Sequence, residues 1–271
     1  MTTPATADRR PPILYSCYFQ VSRAGEQFVP EHILSYQEAG TLVTNDGARE
    51  QTFGPGSLRL TRRNRLLKFT KLPGHEHSYK NLSVVLDQDT LRRLSLETGY
   101  QPGRRPAAAP DDTVLALPAD PLYLSYVASL QPYEQLAAPG NEDLLQLKVR
   151  EAALLLLRAN PELRPVLFDF SEPGKLDLAA FMERNFHFNV QLPRFAYLTG
   201  RSLATFKRDF ARIFNLSPSR WLLQRRLQEA HYRIREQGKT ASEVYLDLGF
   251  EDLSHFSYAF KKQYGVAPSR L

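Results

Sequence analysis
Two runs of side chains, fifty residues apart, carry the chemistry in this chain. If their segments are helical, Ala204, Lys207, Arg208, Ala211 and Arg212 share one face, and Ser254, His255, Ser257, Tyr258, Lys261 and Lys262 share the matching face. Each run mixes small residues, which let a helix lie deep in a groove, with cations and hydroxyls that bond phosphates and base edges. The one acid near either face is Asp209, at its edge. Such a set suits a polyanion with readable edges. The competing reading is a helical bundle with a solvated basic surface.

Charge distribution favours the polyanion. The 271 residues hold 35 Lys+Arg against 29 Asp+Glu, a formal charge of +6. Residues 1–174 hold 19 and 20 of these, whereas 175–271 hold 16 and 9, so the whole positive excess lies in the last segment. With 42% hydrophobic and 24% charged residues the composition is that of a globular protein, and the length suits two domains. The single cysteine, Cys17, excludes a disulfide scaffold and any cysteine-built zinc site or iron–sulfur cluster. No sequence neighbour activates Cys17, so a buried structural thiol is expected. The longest apolar run, Ala152–Leu157, is far short of the roughly 20 residues of a membrane span. Residues 1–12 hold no apolar run and so no secretory signal. A cytoplasmic protein without a membrane partner is expected.

The two runs belong to a repeated unit. Leu198, Leu203, Phe206, Phe210 and Pro218-Ser219-Arg220 recur without a gap as Leu248, Leu253, Phe256, Phe260 and Pro268-Ser269-Arg270. Each copy reads as helix, tight turn, helix. In the first, Leu192–Leu198 is a short helix, Thr199-Gly200-Arg201 the turn, and Ser202 caps a helix to Phe214 that turns Leu203, Phe206, Phe210 and Ile213 inward. In the second, Thr240 and Glu243 form a capping box opening a helix to Leu248, Gly249 ends it, and a helix from about Asp252 buries Leu253, Phe256 and Phe260. Ser217-Pro218 opens a long connecting helix to about Gln237, with Leu223, Leu227, Ala230 and Ile234 facing the core.

Upstream the pattern changes. Residues 1–12 read as a disordered tail. Short β-type runs follow at Ile13–Val21, His32–Gln37, Gly40–Thr44, Ser57–Thr61, Arg65–Lys71 and Asn81–Leu86, with turn signals at Asn45-Asp46-Gly47 and Gly54-Pro55-Gly56. They predict a small barrel or jelly roll. Asp87–Gly99 reads as a helix, Gln101–Pro110 as a loop, and Pro121–Leu136 and Asn141–Ala159 as two further helices. On the last, Leu144, Leu147, Ala152, Leu155 and Leu156 crowd one side, so it must be buried in its own domain or against a second subunit. Phe168–Lys175 marks the domain boundary.

These residues resemble a known family. Ser202-Leu203-x-Thr205-Phe206-Lys207-Arg208-x-Phe210, Ser217-Pro218 and Arg226-Leu227-x-x-Ala230 look like the first half of the AraC/XylS regulator signature. Gly249-Phe250-x-x-x-Ser254-x-Phe256-x-x-x-Phe260-Lys261-Lys262 and Gly265-x-x-Pro268 look like its second half. Tyr245 and Ala241 depart from it, where the family usually has alanine and isoleucine, so different packing of that helix is expected. The resemblance implies an α+β protein: an N-terminal cupin-like β-barrel with following helices over 13–168 (helical at about 121–160), and an all-α DNA-binding domain with two helix-turn-helix units over 175–271. It places Ala204, Lys207 and Arg208 as base readers in unit one, and Leu253, Ser254, His255, Ser257 and Tyr258 in unit two. Thr205, Arg212, Lys261 and Lys262 complete the DNA-binding set. The second unit is poorer in base-reading donors, so more phosphate binding and shape reading is expected of it. Implied partners are double-stranded DNA, RNA polymerase and a second copy of the chain. The implied function is transcription regulation, as an activator, with effector sensing or dimerisation by the N-terminal domain.

The effector is open between a small molecule and a protein. Phe181-Met182, Asn185 and the apolar helix near Leu154 are similar to activators of type III secretion, which answer to protein partners. A cupin-type metalloenzyme is the remaining alternative, since His75-Glu76-His77 puts two imidazoles on one side of a strand. The cupin order is missing: Gly54-Pro55-Gly56 precedes the pair, and the next histidine is His187. A surface turn after Pro73-Gly74 is expected instead, with no metal, cofactor or catalytic residue. Arg59, Arg62, Arg63, Arg65, Lys68 and Lys71 are expected on a solvated sheet face or edge, with docking of an acidic effector or upstream DNA as the functional version.

Overall fold
The computed structural model describes residues 11–23, 27–74, 77–100, 112–118, 120–136 and 141–271. The expected tail, apart from Pro11 and Pro12, the Gln101–Pro110 loop, and His75 and Glu76 of the suggested metal pair lie outside these residues. The chain is a mixed α+β protein with an N-terminal β-sheet domain and a C-terminal helical domain.

The N-terminal strands are β1 (Ile13–Tyr18), β2 (Phe28–Val29), β3 (His32–Ala39), β4 (Thr41–Asn45), β5 (Glu50–Phe53), β6 (Leu58–Thr61), β7 (Arg65–Leu66), β8 (Lys68–Leu72), β9 (Tyr79–Leu86) and β10 (Val114–Leu117). They form an antiparallel sheet in the order β1-β9-β3-β6-β10, a second sheet β5-β4-β8, and the ribbon β2-β7. The Asn45-Asp46-Gly47 signal closes the β4–β5 hairpin. Asn45 Oδ1 accepts from Gly47 N–H, Asp46 Oδ1 accepts from the Ala48 and Arg49 N–H groups, and Gly47 takes φ 90°. Strands β2, β5 and β10, of two to four residues, were not among the runs expected from the sequence.

Helices α1 (Gln88–Glu97), α2 (Pro121–Leu130), α3 (Glu142–Ala159) and α4 (Arg164–Leu167) complete this half. Asp87 caps α1, and residues Gln131–Leu136 continue α2 as a 3-10 turn. Tyr123, Tyr126 and Leu130 of α2, with Val149, Ala152 and Leu156 of α3, pack against Leu34, Leu60, Leu82 and Val84 of the large sheet. The inward face of α3 is Leu145, Val149, Ala152, Ala153, Leu156 and Leu157, whereas Leu144 and Leu147 are exposed. The helix carries leucines on both sides, and periodicity alone has no means of choosing between two apolar stripes.

Two further expectations fail here. Arg59, Arg62 and Arg63 are buried rather than solvated, because β6 and the turn after it sit inside the domain. Arg59 donates to Asn81 Oδ1 at 2.6 Å and lies 5.3 Å from the centre of the Phe53 ring. Arg63 donates to the Asp169 carbonyl at 3.0 Å, and Lys71 to the Tyr18 hydroxyl at 3.0 Å. Cys17 is exposed, since strand alternation turns it outward on edge strand β1.

The C-terminal half comprises α5 (Leu178–Asn185), α6 (Leu192–Leu198), α7 (Leu203–Phe214), α8 (Pro218–Gln237), α9 (Ala241–Val244) and α10 (Leu253–Tyr264). Its core gathers Phe206 and Phe210 of α7, Trp221, Leu227 and Ala230 of α8, and Phe256 and Phe260 of α10. Ile213, Leu223 and Leu253 were expected inside but are exposed; Trp221 and Leu222 take the inward positions on α8. The Thr240–Glu243 capping box forms, with Thr240 N–H donating to Glu243 at 2.7 Å. Helix α9 ends at Val244, short of the expected Leu248, and Ala241 and Tyr245 are only partly buried against the core.

Candidate nucleic-acid interface
Each recognition-type helix is set by its own caps and aromatic packing. Ser202 accepts from Thr205 N–H at α7, and Asp252 accepts from His255 N–H at 2.6 Å at α10. Left-handed residues end both: Asn215 with φ 54° and Gly265 with φ 77°. Phe210 and Phe214 hold Trp221 at centroid distances of 5.6 and 4.7 Å, and His231 and Tyr264 close around Phe260. Burying one side this firmly leaves the other side for solvent or a ligand.

On α7, Ala204, Lys207, Arg208, Ala211 and Arg212 are exposed, and Thr205 is half-buried beside the Ser202 cap. On α10, Leu253, Ser254, His255, Tyr258, Lys261 and Lys262 are exposed and Ser257 is half-buried. Asp209 is drawn off the basic face. Arg201 Nε donates to its carboxylate at 3.1 Å and, with Arg212 at 3.7 Å, holds it below the usual carboxylate range. The face is therefore left to donors.

Arg226, which sequence reasoning met only as part of a motif, ties the units together. From α8 it donates to the carbonyls of Phe186 (2.8 Å), Phe188 (2.8 Å) and Gly249 (2.9 Å), and burial lowers its pKa to about 10. Gly249 has φ 81°, and a Cβ there would lie 2.9 Å from both the Arg226 guanidinium carbon and the His187 carbonyl oxygen. The turn of unit two is thus locked to the segment leading into unit one. In the turn of unit one, Gly200 has φ 64° and packs on Gly174, while Arg201 donates to the carbonyls of Thr199 and Leu176.

The β2–β7 ribbon reaches the same core, which no sequence signal announced. Phe28 and Leu66 are buried among the C-terminal residues, Tyr197 of α6 packs edge-on to Phe28 at 6.1 Å, and Arg194 lies 4.7 Å from the centre of its ring. Asn189 N–H donates to Gln27 Oε1 at 2.8 Å, and Lys68 donates to the Asp247 carbonyl. Beside these contacts is a polar cleft of about 670 Å³, lined in part by Arg23, Lys68, His187, Arg233 and Asp247. Burial, helped by Lys68, Arg233 and Arg226, depresses His187 to about 3, so it stays neutral at physiological pH. Among the described residues no cluster of three or more His, Cys, Asp or Glu could hold a metal ion, and no helix is long and apolar enough to cross a membrane.

The geometry defines a paired helix-turn-helix unit of the DNA-binding kind, and a helix-turn-helix domain family matches residues 195–271. The chain is 26% identical over 234 residues to the HTH-type transcriptional regulator ExsA of Pseudomonas aeruginosa, covering 85% of this chain and 82% of that one. It is 28% identical over 141 residues to the virulence regulon transcriptional activator VirF of Yersinia enterocolitica, covering 47% of this chain and 48% of the other. Among solved structures, an apo variant of ToxT from Vibrio cholerae superposes over 97% of this chain and 98% of that one, with a TM-score of 0.47 and 13% identity. The chain is a helix-turn-helix DNA-binding transcription regulator, similar to regulators of the AraC/XylS family.

Proposed function
We propose that the chain activates transcription by setting α7 and α10 into successive major-groove segments of a promoter, about one helical turn (~34 Å) apart. The observation that carries this reading is the pair of matching donor faces, with Asp209 drawn away from them by Arg201. Ala204, Lys207 and Arg208 read bases in unit one. In unit two Leu253, Ser254, His255, Ser257 and Tyr258 read mainly shape, while Lys261 and Lys262 hold phosphates, as Thr205 and Arg212 do in unit one. The DNA-binding domain spans 175–271, and residues 13–168 form a cupin-like sensing and dimerisation domain. The protein acts in the cytoplasm as a homodimer that contacts RNA polymerase, without a metal or cofactor.

A second reading concerns the signal. The space between the large sheet and α2, lined by Leu34, Leu58, Leu82, Tyr123 and Val127 among others, holds about 10 Å³, room for no more than a water. A small molecule has no room between this sheet and α2, and at that place the reading favours a protein effector. A small molecule has room in the polar cleft between the halves.

Selection of genomic fragments by the purified protein, with and without cell extract, tests the reading. A recurring two-segment sequence is expected, with a change in affinity when extract is present. No enriched sequence in either arm would remove the DNA-reading claim.

A further inference from the structure
Both copies of the repeat close on the same three residues, Pro218-Ser219-Arg220 and Pro268-Ser269-Arg270, just past the left-handed residue that ends each recognition-type helix. The prolines are buried, and packing accounts for their recurrence as it does for Leu198, Phe206 and Phe210 with Leu248, Phe256 and Phe260. The serines and arginines are exposed, so packing gives no such reason for them. At every other position of residues 198–220 that is exposed in both copies the residue differs, as at Ala204/Ser254, Arg208/Tyr258 and Ala211/Lys261. Local structure does not ask for the arginine either. In the first turn of α8, Arg220 sits at the positive end of the helix dipole, where acids are favoured and cations are not. Among the described residues neither Arg220 nor Arg270 has an ion pair or a side-chain hydrogen bond, whereas Arg201, Arg225, Arg226 and Arg233 are all held by carboxylates or carbonyls.

We infer that Arg220 and Arg270, each with the serine before it, grip one phosphate apiece of the DNA backbone beside the C-terminal ends of α7 and α10, and so set how each helix lies in its groove without reading a base. The pair rests on the DNA-binding reading above. A phosphate is the same beneath any base pair, so a residue that holds one has no cause to differ between two units, whereas faces that read different bases must. The guanidinium presents a fork of N–H donors that fits two phosphate oxygens, and the serine hydroxyl donates a further hydrogen bond. The charge of the phosphate offsets the unfavourable placement of Arg220 at the start of α8. Arg212 and Lys262, on the last turns of α7 and α10, are exposed as well, so a free-standing cation follows each left-handed turn as one precedes it.

Fluorescence anisotropy of the full chain tests the pair, on a duplex recovered by the genomic selection and on one of unrelated sequence, each over a series of sodium chloride concentrations. Arg220→Ala and Arg270→Ala are each expected to weaken binding about tenfold on both duplexes. Each should also make the slope of log affinity against log salt shallower by about 0.9, and the double variant by about 1.8. Lys239→Ala removes an equally exposed cation beyond the other end of α8 and is expected to keep the parent slope and affinity. Thermal melts at or above the parent Tm confirm the fold, since Arg220 opposes the dipole of its own helix. Arginine variants with the parent slope, or a Lys239→Ala loss equal to theirs, remove the grip while the DNA-reading claim stands. A loss confined to the selected duplex makes these arginines base readers and overturns the grip as well. A parent chain that binds neither duplex removes the DNA-reading claim and the grip together.

Discussion
Arg208 lies on the exposed face of α7, where a guanidinium can reach two acceptors of one guanine. Arg208→Ala is expected to relax preference at one base pair, costing about 1–3 kcal/mol in binding titrations on matched and substituted sites. Equal loss on all sequences would make it a phosphate contact. Glu31 offers a pH-dependent counterpart in the sheet domain. Burial raises its pKa from 4.5 to about 7, against the pull of Arg63, while Asp87 and Asp89 push it up and a Gln88 hydrogen bond pulls it down. Below 4.5 Glu31 is protonated both folded and unfolded and contributes nothing. Between 4.5 and about 7 the unfolded chain releases its proton while the folded chain keeps it, so stability falls as pH rises. Glu31→Gln should therefore raise Tm above pH 7, and thermal melts in acid should show that advantage fading.

The helices of the DNA-binding half depend on their ends as much as on their faces. Ser202→Ala removes the acceptor for Thr205 N–H and should destabilise unit one by about 0.5–2 kcal/mol. Trp221, the one tryptophan of the chain, sits between Phe210 and Phe214, so its fluorescence in a denaturant titration reads that unit directly. The two units should also read DNA differently, since α7 exposes Lys207, Arg208 and Arg212 where α10 places Ser257, Tyr258 and Lys262. Base substitutions beneath α7 should change affinity more than those beneath α10; the reverse order would refute this division. The repeat, Ser202, Gly249 and the capping box were legible because caps and turns are local chemistry. Which face of α3 is buried was not, since that helix offers more apolar positions than one contact can use, whereas on α8 Leu227, Ala230 and Ile234 face the core as expected and Leu223 alone does not.

Across the whole molecule, the β2–β7 ribbon makes the two halves share a core. Phe28→Ala removes a fully packed ring from the C-terminal cluster at a cost of about 3–5 kcal/mol. The expected outcome is an earlier Trp221 transition even though the substitution is in the sheet domain; an unmoved transition would mean that the halves are independent. The same contacts give the N-terminal half a path to α6, the first helix of unit one, through Tyr197 and Arg194. Arg226 then links unit one's approach to unit two's turn.

By itself the sequence determined the paired recognition helices, their caps and the basic faces, because each follows from spacing and charge within a single segment. Only the tertiary structure decided that Arg59, Arg62 and Arg63 are interior, that Cys17 is exposed, that Phe28 belongs to the far core and that Leu147 does not belong to its own. Those outcomes depend on which surfaces meet across long stretches of chain. A run of arginines or leucines reads the same whether another element covers it or water does.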